Sequence, residues 1–589
     1  MSTTKFVYPT PRRDESVNDE HFGTKVPDPY RWMEDPDSKE TKKFVKEQNV
    51  VSQSFIKACP DLEKITKDLT KLKEYSKFSI PSRHGDKYFI YKNSGLQNQY
   101  VMYKQDCLDF ELVEFLDPNK WSTDGTVALV QTQFSHDGSL LACGLSTSGS
   151  DWFTIHIKDV ATGQDMPEKL EKVKFSRIEW TKDGKGFFYG CYPETKDDGM
   201  GACASSLCNQ KIFFHRVGTE QKDDVKCVEF NDNPKWLIGA EVSDCGQYLL
   251  VTTHQEFQDN LLYFTKLNSS DDITGLFDLT QVVYKFEHNF RYITNTGSKF
   301  LFQTNRSAPN YQLIIIDFDH TPNSDNIENQ DIWPMTTLIA ECKDQVLEWA
   351  ACVNEDKLIV CYLKDVKNVL HVHDLSTGDH LHKIPLPLEI GSVTDFSGDK
   401  RYSEWFYMLE STIIPSVSYH VDMTKSPPDV QVFRETEIQD FDESHYNFKQ
   451  EFYNSKDGTG IPMIIASRKD CKQDGSEPCM LYGYGGFNQS ISPSFEDEQL
   501  FFVQHYGYYA IANIRGGGEY GEKWHNAGRL LNKQNSFDDF IAAAEFLVDN
   551  KYTCKEKLAI KGGSNGGLLV GACLNQRPDL FGAGIAAVG

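Results

Sequence analysis

Two rhythms of apolar and polar positions divide the chain. From about residue 78 to residue 423, short runs of β-branched and aromatic residues are broken by polar turns, the pattern of antiparallel strands. Seven stretches share one theme: an apolar or aromatic residue, a turn carrying Asp, Asn or Gly, then a run of strand formers. They are 78–91, 134–145, 178–189, 240–252, 290–303, 347–362 and 393–409. Their turns recur at roughly 50 residues, the period of four-stranded propeller blades. Tandem β-sandwiches are the competing arrangement, but a closed ring leaves fewer exposed sheet edges and predicts a seven-bladed β-propeller.

Outside that block the period changes. The first 77 residues open with aromatic and proline punctuation (Tyr8-Pro9, Pro27-Asp28-Pro29-Tyr30-Arg31-Trp32). Phe44, Val45, Gln48, Val51 and Phe55 then fall at helical spacing, with Ser38 as the N-cap. From about residue 440, strand-like and helix-like stretches alternate. Residues 461–466, 479–484 and 508–514 read as strands, and Ser536-Phe537-Asp538-Asp539 reads as a capping-box start to a helix whose inner face carries Phe540, Ile541, Ala544 and Leu547. Such alternation predicts a parallel sheet covered on both faces.

Composition narrows the function. At 589 residues the chain exceeds one ordinary core, so more than one domain is expected. A formal charge of −25 argues against nucleic acid or an anionic membrane as a partner. The opening residues lack a signal-peptide core, and no apolar run reaches the roughly 18 residues of a membrane span. The fifteen cysteines show no CxxC pair or metal-ligand spacing, and read as reduced thiols of a cytoplasmic protein without metal or cofactor. Cys203 and Cys208 are the nearest pair that a loop disulfide could join.

The chemistry lies near the end. Gly562-Gly563-Ser564-Asn565-Gly566-Gly567 follows the strand-like 557–561, and precedes an apolar stretch (Leu568, Leu569, Val570, Ala572, Cys573, Leu574) that stops before Arg577-Pro578. Strand, glycine turn and helix is the setting of an α/β-hydrolase nucleophile elbow, which makes Ser564 the candidate nucleophile and the Asn565 N–H an oxyanion donor. A second donor is expected from the glycine-rich 481–487, as a backbone N–H or a tyrosine hydroxyl, unless those tyrosines merely pack. Arg515 and Glu519 are expected to pair and fix their glycine loop, or else Arg515 binds substrate. His525 precedes the nucleophile and reads as a packed histidine rather than the base. In this fold the acid and the histidine follow the serine. Here only Asp579 follows as a side-chain carboxylate, in what reads as a helix-end loop, and no histidine follows at all. The expectation is a nucleophile without its base, an incomplete hydrolase domain, and an apolar sheet edge exposed near 584–588.

Several motifs together are specific: Tyr482-Gly483-Tyr484-Gly485-Gly486-Phe487, Asn513-Ile514-Arg515-Gly516-Gly517-Gly518-Glu519-Tyr520-Gly521-Glu522, Asn532-Lys533-Gln534-Asn535 with Phe537-Asp538-Asp539-Phe540, and the elbow. With Asp28-Pro29-Tyr30-Arg31-Trp32-Met33-Glu34-Asp35-Pro36, and Val173-Lys174-Phe175-Ser176 before Trp180 and Asp183-Gly184-Lys185-Gly186, the chain resembles the prolyl oligopeptidase family along essentially its whole length. The resemblance implies a propeller over 78–435 that caps an α/β-hydrolase domain built from 1–77 and 436–589. It implies a monomeric cytosolic serine peptidase that cuts short proline-containing peptides after proline, the propeller excluding folded proteins. It assigns Ser564 as nucleophile, the Tyr484 hydroxyl beside the Asn565 N–H as oxyanion hole, Phe487 to the proline pocket and Phe175 to the peptide-facing propeller wall. Leu237 and Phe257 align with further pocket positions but depart from the family's side chains. The family's triad Asp and His have no counterpart within the sequence, so little activity is expected of this chain alone. Two other readings compete: a non-catalytic interaction protein that works through its propeller, and an oligopeptidase that cleaves after basic residues.

Overall fold

The computed structural model describes residues 7–193, 208–255, 258–320 and 332–589. The chain divides after Lys73 into two compact units. In the first, a hairpin (Asn18–His21 with Thr24–Pro27) precedes helices α1 (Lys39–Lys57) and α2 (Leu62–Lys73). Ser38 caps α1 as its sequence predicts, accepting the Thr41 N–H at 3.1 Å, and Trp32 packs edge-on against Phe44 at 5.9 Å.

The second unit carries the propeller and a mixed sheet. All seven predicted turns join the first strand of a blade to its second. The last four blades are separate four-stranded sheets that begin with Leu237–Val242, Phe290–Thr296, Val346–Val353 and Ser392–Gly398. The second and third blades share the 16-residue strand Asp165–Trp180. Its front half pairs with Phe153–Asp159 and its back half with Gly186–Cys191, so the two blades form one sheet. Local chemistry builds the turns. Asp137 accepts from Ser135 Oγ at 2.7 Å and Ser139 N at 3.0 Å, and Asp183 repeats the device with Thr181 Oγ1 at 2.7 Å and Lys185 N at 3.2 Å. Gly138 must be glycine: its φ is +75°, and a Cβ would meet the His84 carbonyl oxygen of the neighbouring blade's turn at 2.8 Å.

Among the described residues no strand pairs the first blade to the last; side chains close the ring. Ile80 and Tyr88 pack with Phe406 and Met408. Glu404 accepts from Arg83 at 2.8 Å and from the Tyr88 hydroxyl. Burial opposes its charge, but hydrogen bonds from His420, Tyr88 and Arg83 hold the Glu404 carboxyl down at about 2.

Beyond the propeller, strands β1 (Tyr446–Asn454), β2 (Gly460–Arg468), β3 (Cys479–Tyr482), β4 (Tyr508–Ala512), β5 (Leu558–Gly563) and β6 (Ala583–Ala587) form a sheet in the order β1-β2-β4-β3-β5-β6. The β4–β3, β3–β5 and β5–β6 ladders are parallel, but β2 runs antiparallel to both its neighbours, β1 and β4. The reason is the short Asp457-Gly458 turn, which makes β1–β2 a hairpin and leaves no room for a crossover helix. Leu481, Ala510 and Ile560 are buried beneath Phe540 and Leu547 of α5 (Gln534–Asp549) and Leu569 of α6 (Asn565–Gln576). Two further helices, α3 (Asp497–His505) and α4 (Gly521–Asn526), precede these two. Ser536 does not cap α5, which starts at Gln534; its buried hydroxyl donates instead to the Arg515 carbonyl at 2.7 Å and the Gly528 carbonyl at 3.1 Å. Ile541 is only half-buried, unlike Phe540, Ala544 and Leu547. At the outer edge, β6 is exposed along its whole length.

Candidate active site

Strand β5 ends at Gly563 and α6 begins at Asn565, leaving Ser564 alone on the corner with φ +53° and ψ −117°. Such a conformation costs a residue with a side chain on the order of 1–3 kcal/mol and persists only where the surroundings enforce it. Here they do. A Cβ on Gly562 would sit 2.3 Å from the Gly566 carbonyl oxygen, and one on Gly566 would sit 2.7 Å from that of Gly483. Ser564 N donates to the Ala587 carbonyl at 2.9 Å, and Gly567 N to the Ser564 carbonyl at 2.8 Å. The serine side chain is left exposed at the helix N-terminus, where backbone N–H groups and the helix dipole favour developing negative charge. Among the described residues its hydroxyl has no hydrogen-bond partner.

The loop after β3 runs beside this corner. Asn565 Nδ2 donates to the Tyr484 carbonyl at 2.6 Å, and the Tyr484 Cα lies 3.7 Å from where Gly566 would carry a Cβ. Ser564, Asn565 and Tyr484 are thus brought together. The Tyr484 side chain is half-buried, and its phenol makes no hydrogen bond among the described residues. Three residues on, Phe487 is 60% exposed. The loop is strained, because Phe487 and Asn488 both have φ +55°.

Several groups that sequence reasoning missed hold that strain. Lys533 Nζ donates to the Gly485 carbonyl at 2.7 Å, and Asn488 N donates to the Gly516 carbonyl at 3.2 Å. Asn488 Nδ2 reaches the Tyr311 hydroxyl and Glu522 Oε1, both at 3.0 Å. Glu522 also accepts from Tyr311 at 2.7 Å and from Asn305 at 3.1 Å, tying a turn of the fifth blade to the hydrolase loop. Burial and the Glu522 carboxylate both drive the Tyr311 phenol upward. The one signal in the sequence was Glu522 closing a motif already singled out.

The pairing expected between Arg515 and Glu519 does not form. Arg515 instead binds the fully buried Asp539 through Nε at 2.9 Å and Nη2 at 2.6 Å, and Asp457 through Nη1 at 2.6 Å. A guanidinium prefers two-point contact with a carboxylate, and the hairpin turn and α5 offer it where Glu519 does not. Glu519, buried and apart, accepts from Ile491 N at 2.9 Å and Asn513 Nδ2 at 3.3 Å, and burial pushes its carboxyl up to about 7. His525 is a packed histidine: its Nδ1 lies 2.7 Å from the Gly516 carbonyl oxygen and 3.0 Å from Asn488 N, and burial lowers its pKa. Asp579 is exposed and paired with Arg577 at 2.9 Å, which holds its carboxyl well below the usual range.

Phe175 lies in the propeller, at φ +49° and 49% exposed, with Lys174 Nζ 4.9 Å from its ring centroid. Gln210 Nε2 donates to the Phe175 carbonyl at 3.1 Å, and its Oε1 accepts from Ile238 N at 2.7 Å, so one amide sets both walls of a cavity that Phe175 and Leu237 line. Phe257 and Cys203 lie outside the described residues, and Cys208 is a free thiol. Among the described residues no group of three or more His, Cys, Asp or Glu is placed to hold a metal, and no helix is long and apolar enough to cross a membrane.

Comparison with known proteins agrees with this geometry. The family model described as "Prolyl oligopeptidase, N-terminal beta-propeller domain" matches residues 9–434, and the model "Prolyl oligopeptidase family" matches residues 493–589. Prolyl endopeptidase of Elizabethkingia meningoseptica is 35% identical over 575 residues, covering 98% of this chain and 78% of that protein. Prolyl endopeptidase of Dictyostelium discoideum is 35% identical over 645 residues, covering 99% and 83%. Prolyl oligopeptidase B of Galerina marginata, solved with a 25mer macrocyclization substrate, superposes with a TM-score of 0.90 at 32% identity, covering 98% of this chain and 82% of the other. The fold is shared with these proteins over nearly the whole chain, and the chain belongs to the prolyl oligopeptidase family of serine peptidases.

Proposed function

We propose that this protein hydrolyses short peptides on the carboxyl side of proline through an acyl-enzyme on Ser564. In this reading the Ser564 oxygen attacks the carbonyl carbon, and the oxyanion is held by the Asn565 N–H and the Tyr484 hydroxyl. Phe487 offers its ring to proline, and Phe175 faces the rest of the peptide from the propeller. The observation that carries the proposal is the strained backbone of Ser564 beside Tyr484, held by glycine contacts that have no other evident use. The hydrolase part is read as 1–77 with 436–589, the propeller as 78–435, and the working form as a cytoplasmic monomer. The fourteen free thiols among the described cysteines support a reducing compartment.

A serine needs a base to attack, and no side chain hydrogen-bonds the Ser564 hydroxyl among the described residues. We therefore expect this polypeptide alone to turn over a proline-containing fluorogenic peptide slowly at best. The test is labelling with a fluorophosphonate that carries proline at its recognition position. Slow adduct formation mapped to Ser564, abolished by Ser564→Ala and slowed by Tyr484→Phe, supports the reading. Labelling elsewhere, or a rate indifferent to Tyr484→Phe, contradicts it.

A further inference from the structure

The propeller carries an open cavity of about 600 Å³ that the catalytic reading uses only at Phe175. Its walls come from the first strand of the third blade and from the inner strands of the fourth and fifth. Arg177 is two residues along from Phe175, Glu241 lies on the fourth blade's strand, and Arg291 on the fifth. Arg291 and Tyr292 also line a second cavity of about 450 Å³, so the two spaces meet at Arg291. The second cavity adds Lys182, Lys400 and Arg401 to its lining. Asp244, Glu355 and Asp399 line that second cavity too, and Asp399 pairs with Arg401 at 2.8 Å.

Two of these cations lack adequate counter-charges. Among the described residues Arg291 makes no hydrogen bond and no ion pair. Arg177 has only a loose partner, its Nη1 lying 3.8 Å from Glu241 Oε2 with both side chains exposed to the cavity. Burial lowers the pKa of Arg291 and the charge of Arg177 lowers it further, while Glu241 pulls the other way. Glu241 is the acid that faces both arginines. Burial raises the Glu241 carboxyl, Arg177 and Arg291 pull it back down, and burial with the adjacent Glu241 raises that of Glu179. His254, on the same wall, is driven toward its neutral form by burial. Two planar forks on one cavity, Arg291 without a hydrogen bond among the described residues and Arg177 with a single loose ion pair, match the chemistry of a carboxylate, which each can bind at two points.

We propose that this cavity is a specificity subsite for a carboxylate of the bound peptide, held between Arg177 and Arg291. The carboxylate is that of an acidic side chain or of the peptide's free C-terminus. The proposal rests on the peptidase reading in that it takes the ligand to be a peptide reaching into the propeller. It adds a charge preference that neither the elbow nor the proline pocket supplies.

The test measures equilibrium binding of fluorescein-labelled hexapeptides, each with one internal proline, to the 589-residue chain by anisotropy. Four peptides share a scaffold: neutral with an amidated C-terminus, the same with one Glu, the same with a free C-terminal carboxylate, and the same with one Lys. At least one carboxylate peptide should bind about tenfold more tightly than the neutral amide, and the Lys peptide more weakly. Arg291→Gln should remove most of that preference and Arg177→Gln part of it, with the neutral amide unchanged; matching thermal melts check that both variants fold. Preference in the Glu arm identifies a side chain as the source, and preference in the free-terminus arm identifies the chain end. If the neutral amide binds and neither carboxylate improves it, or if the preference survives both substitutions, the subsite is refuted while the peptidase reading stands. If no peptide binds, both fall.

Discussion

Asp539 supports the active-site loops from below, and replacing it with alanine separates two ideas about how they are held. Its carboxylate is fully buried and accepts three charge-assisted bonds from Arg515: from Nη2 at 2.6 Å, Nε at 2.9 Å and the backbone N–H at 3.0 Å. Removing one partner of a buried pair costs about 3–5 kcal/mol, chiefly because the other charge is stranded. Asp457 stays 2.6 Å from Nη1, but its side chain is 48% exposed and screened, so it relieves only part of that penalty. Asp539→Ala is therefore expected to cost about 3–4 kcal/mol, and Asp457→Ala about 1 kcal/mol or less. Pairing Arg515→Met with Asp539→Leu should recover a good part of the loss, since the stranded charge goes too. Urea unfolding gives the energies, and hydrogen exchange gives the route to the site. The Gly516 carbonyl, next to Arg515, accepts the Asn488 N–H, so exchange at Asn488 should quicken in Asp539→Ala. Equal costs for Asp539→Ala and Asp457→Ala, or unchanged exchange at Asn488, would refute the reasoning.

Glu519 titrates in the unfavourable direction: its folded pKa of about 7 lies above the unfolded value, so it stabilises fully below about pH 4 and loses that contribution as pH rises through 7. Stability should fall by about 3 kcal/mol over that window, and Glu519→Gln should flatten it; a pH profile identical to wild type would sink the assignment. Glu404 behaves oppositely: its pKa, depressed to about 2, contributes stability above about pH 4 that is lost as pH falls through 2. Glu404→Gln should open the seam between first and last blades, read as faster exchange at 82–91 and 404–410 at pH 7, and unaltered protection there would count against side-chain closure. Glu522→Ala removes the acceptor shared by Asn305, Tyr311 and Asn488, and should cost about 2–3 kcal/mol and loosen 305–311 together with 486–490; loosening of one segment without the other would show that it does not couple them. Gly562→Ala should abolish fluorophosphonate labelling of Ser564 while the propeller keeps its protection, because the added Cβ meets backbone rather than a movable side chain.

What the sequence made legible was local. Each blade turn carries its own Asp, Ser, Thr or Gly chemistry within about five residues, so Ser135-His136-Asp137-Gly138 and Thr181-Lys182-Asp183-Gly184 announce themselves without knowledge of their neighbours. The elbow is likewise a contact within one turn, Gly562 against Gly566. The errors share the opposite property. Arg515 was matched to Glu519, four residues away, when its partners are Asp539 and Asp457, 24 and 58 residues distant. Ser536 looked like a cap because an acid follows it, yet its hydroxyl is spent on the carbonyls of Arg515 and Gly528 from inside the helix. In a parallel sheet the loops after successive strands converge at one edge, so the partner of a loop residue is usually on another loop or the next helix, not further along its own. The strained residues Phe487, Asn488 and Ser564 sit at that edge, and their conformations persist only because distant groups satisfy the backbone around them. Short motifs thus mark the candidate chemistry, while the residues that hold it in place leave no such mark. Arg177 and Arg291 escape a motif for the same reason: they stand on the third and fifth blades, more than one hundred positions apart, and only the ring brings them to one cavity.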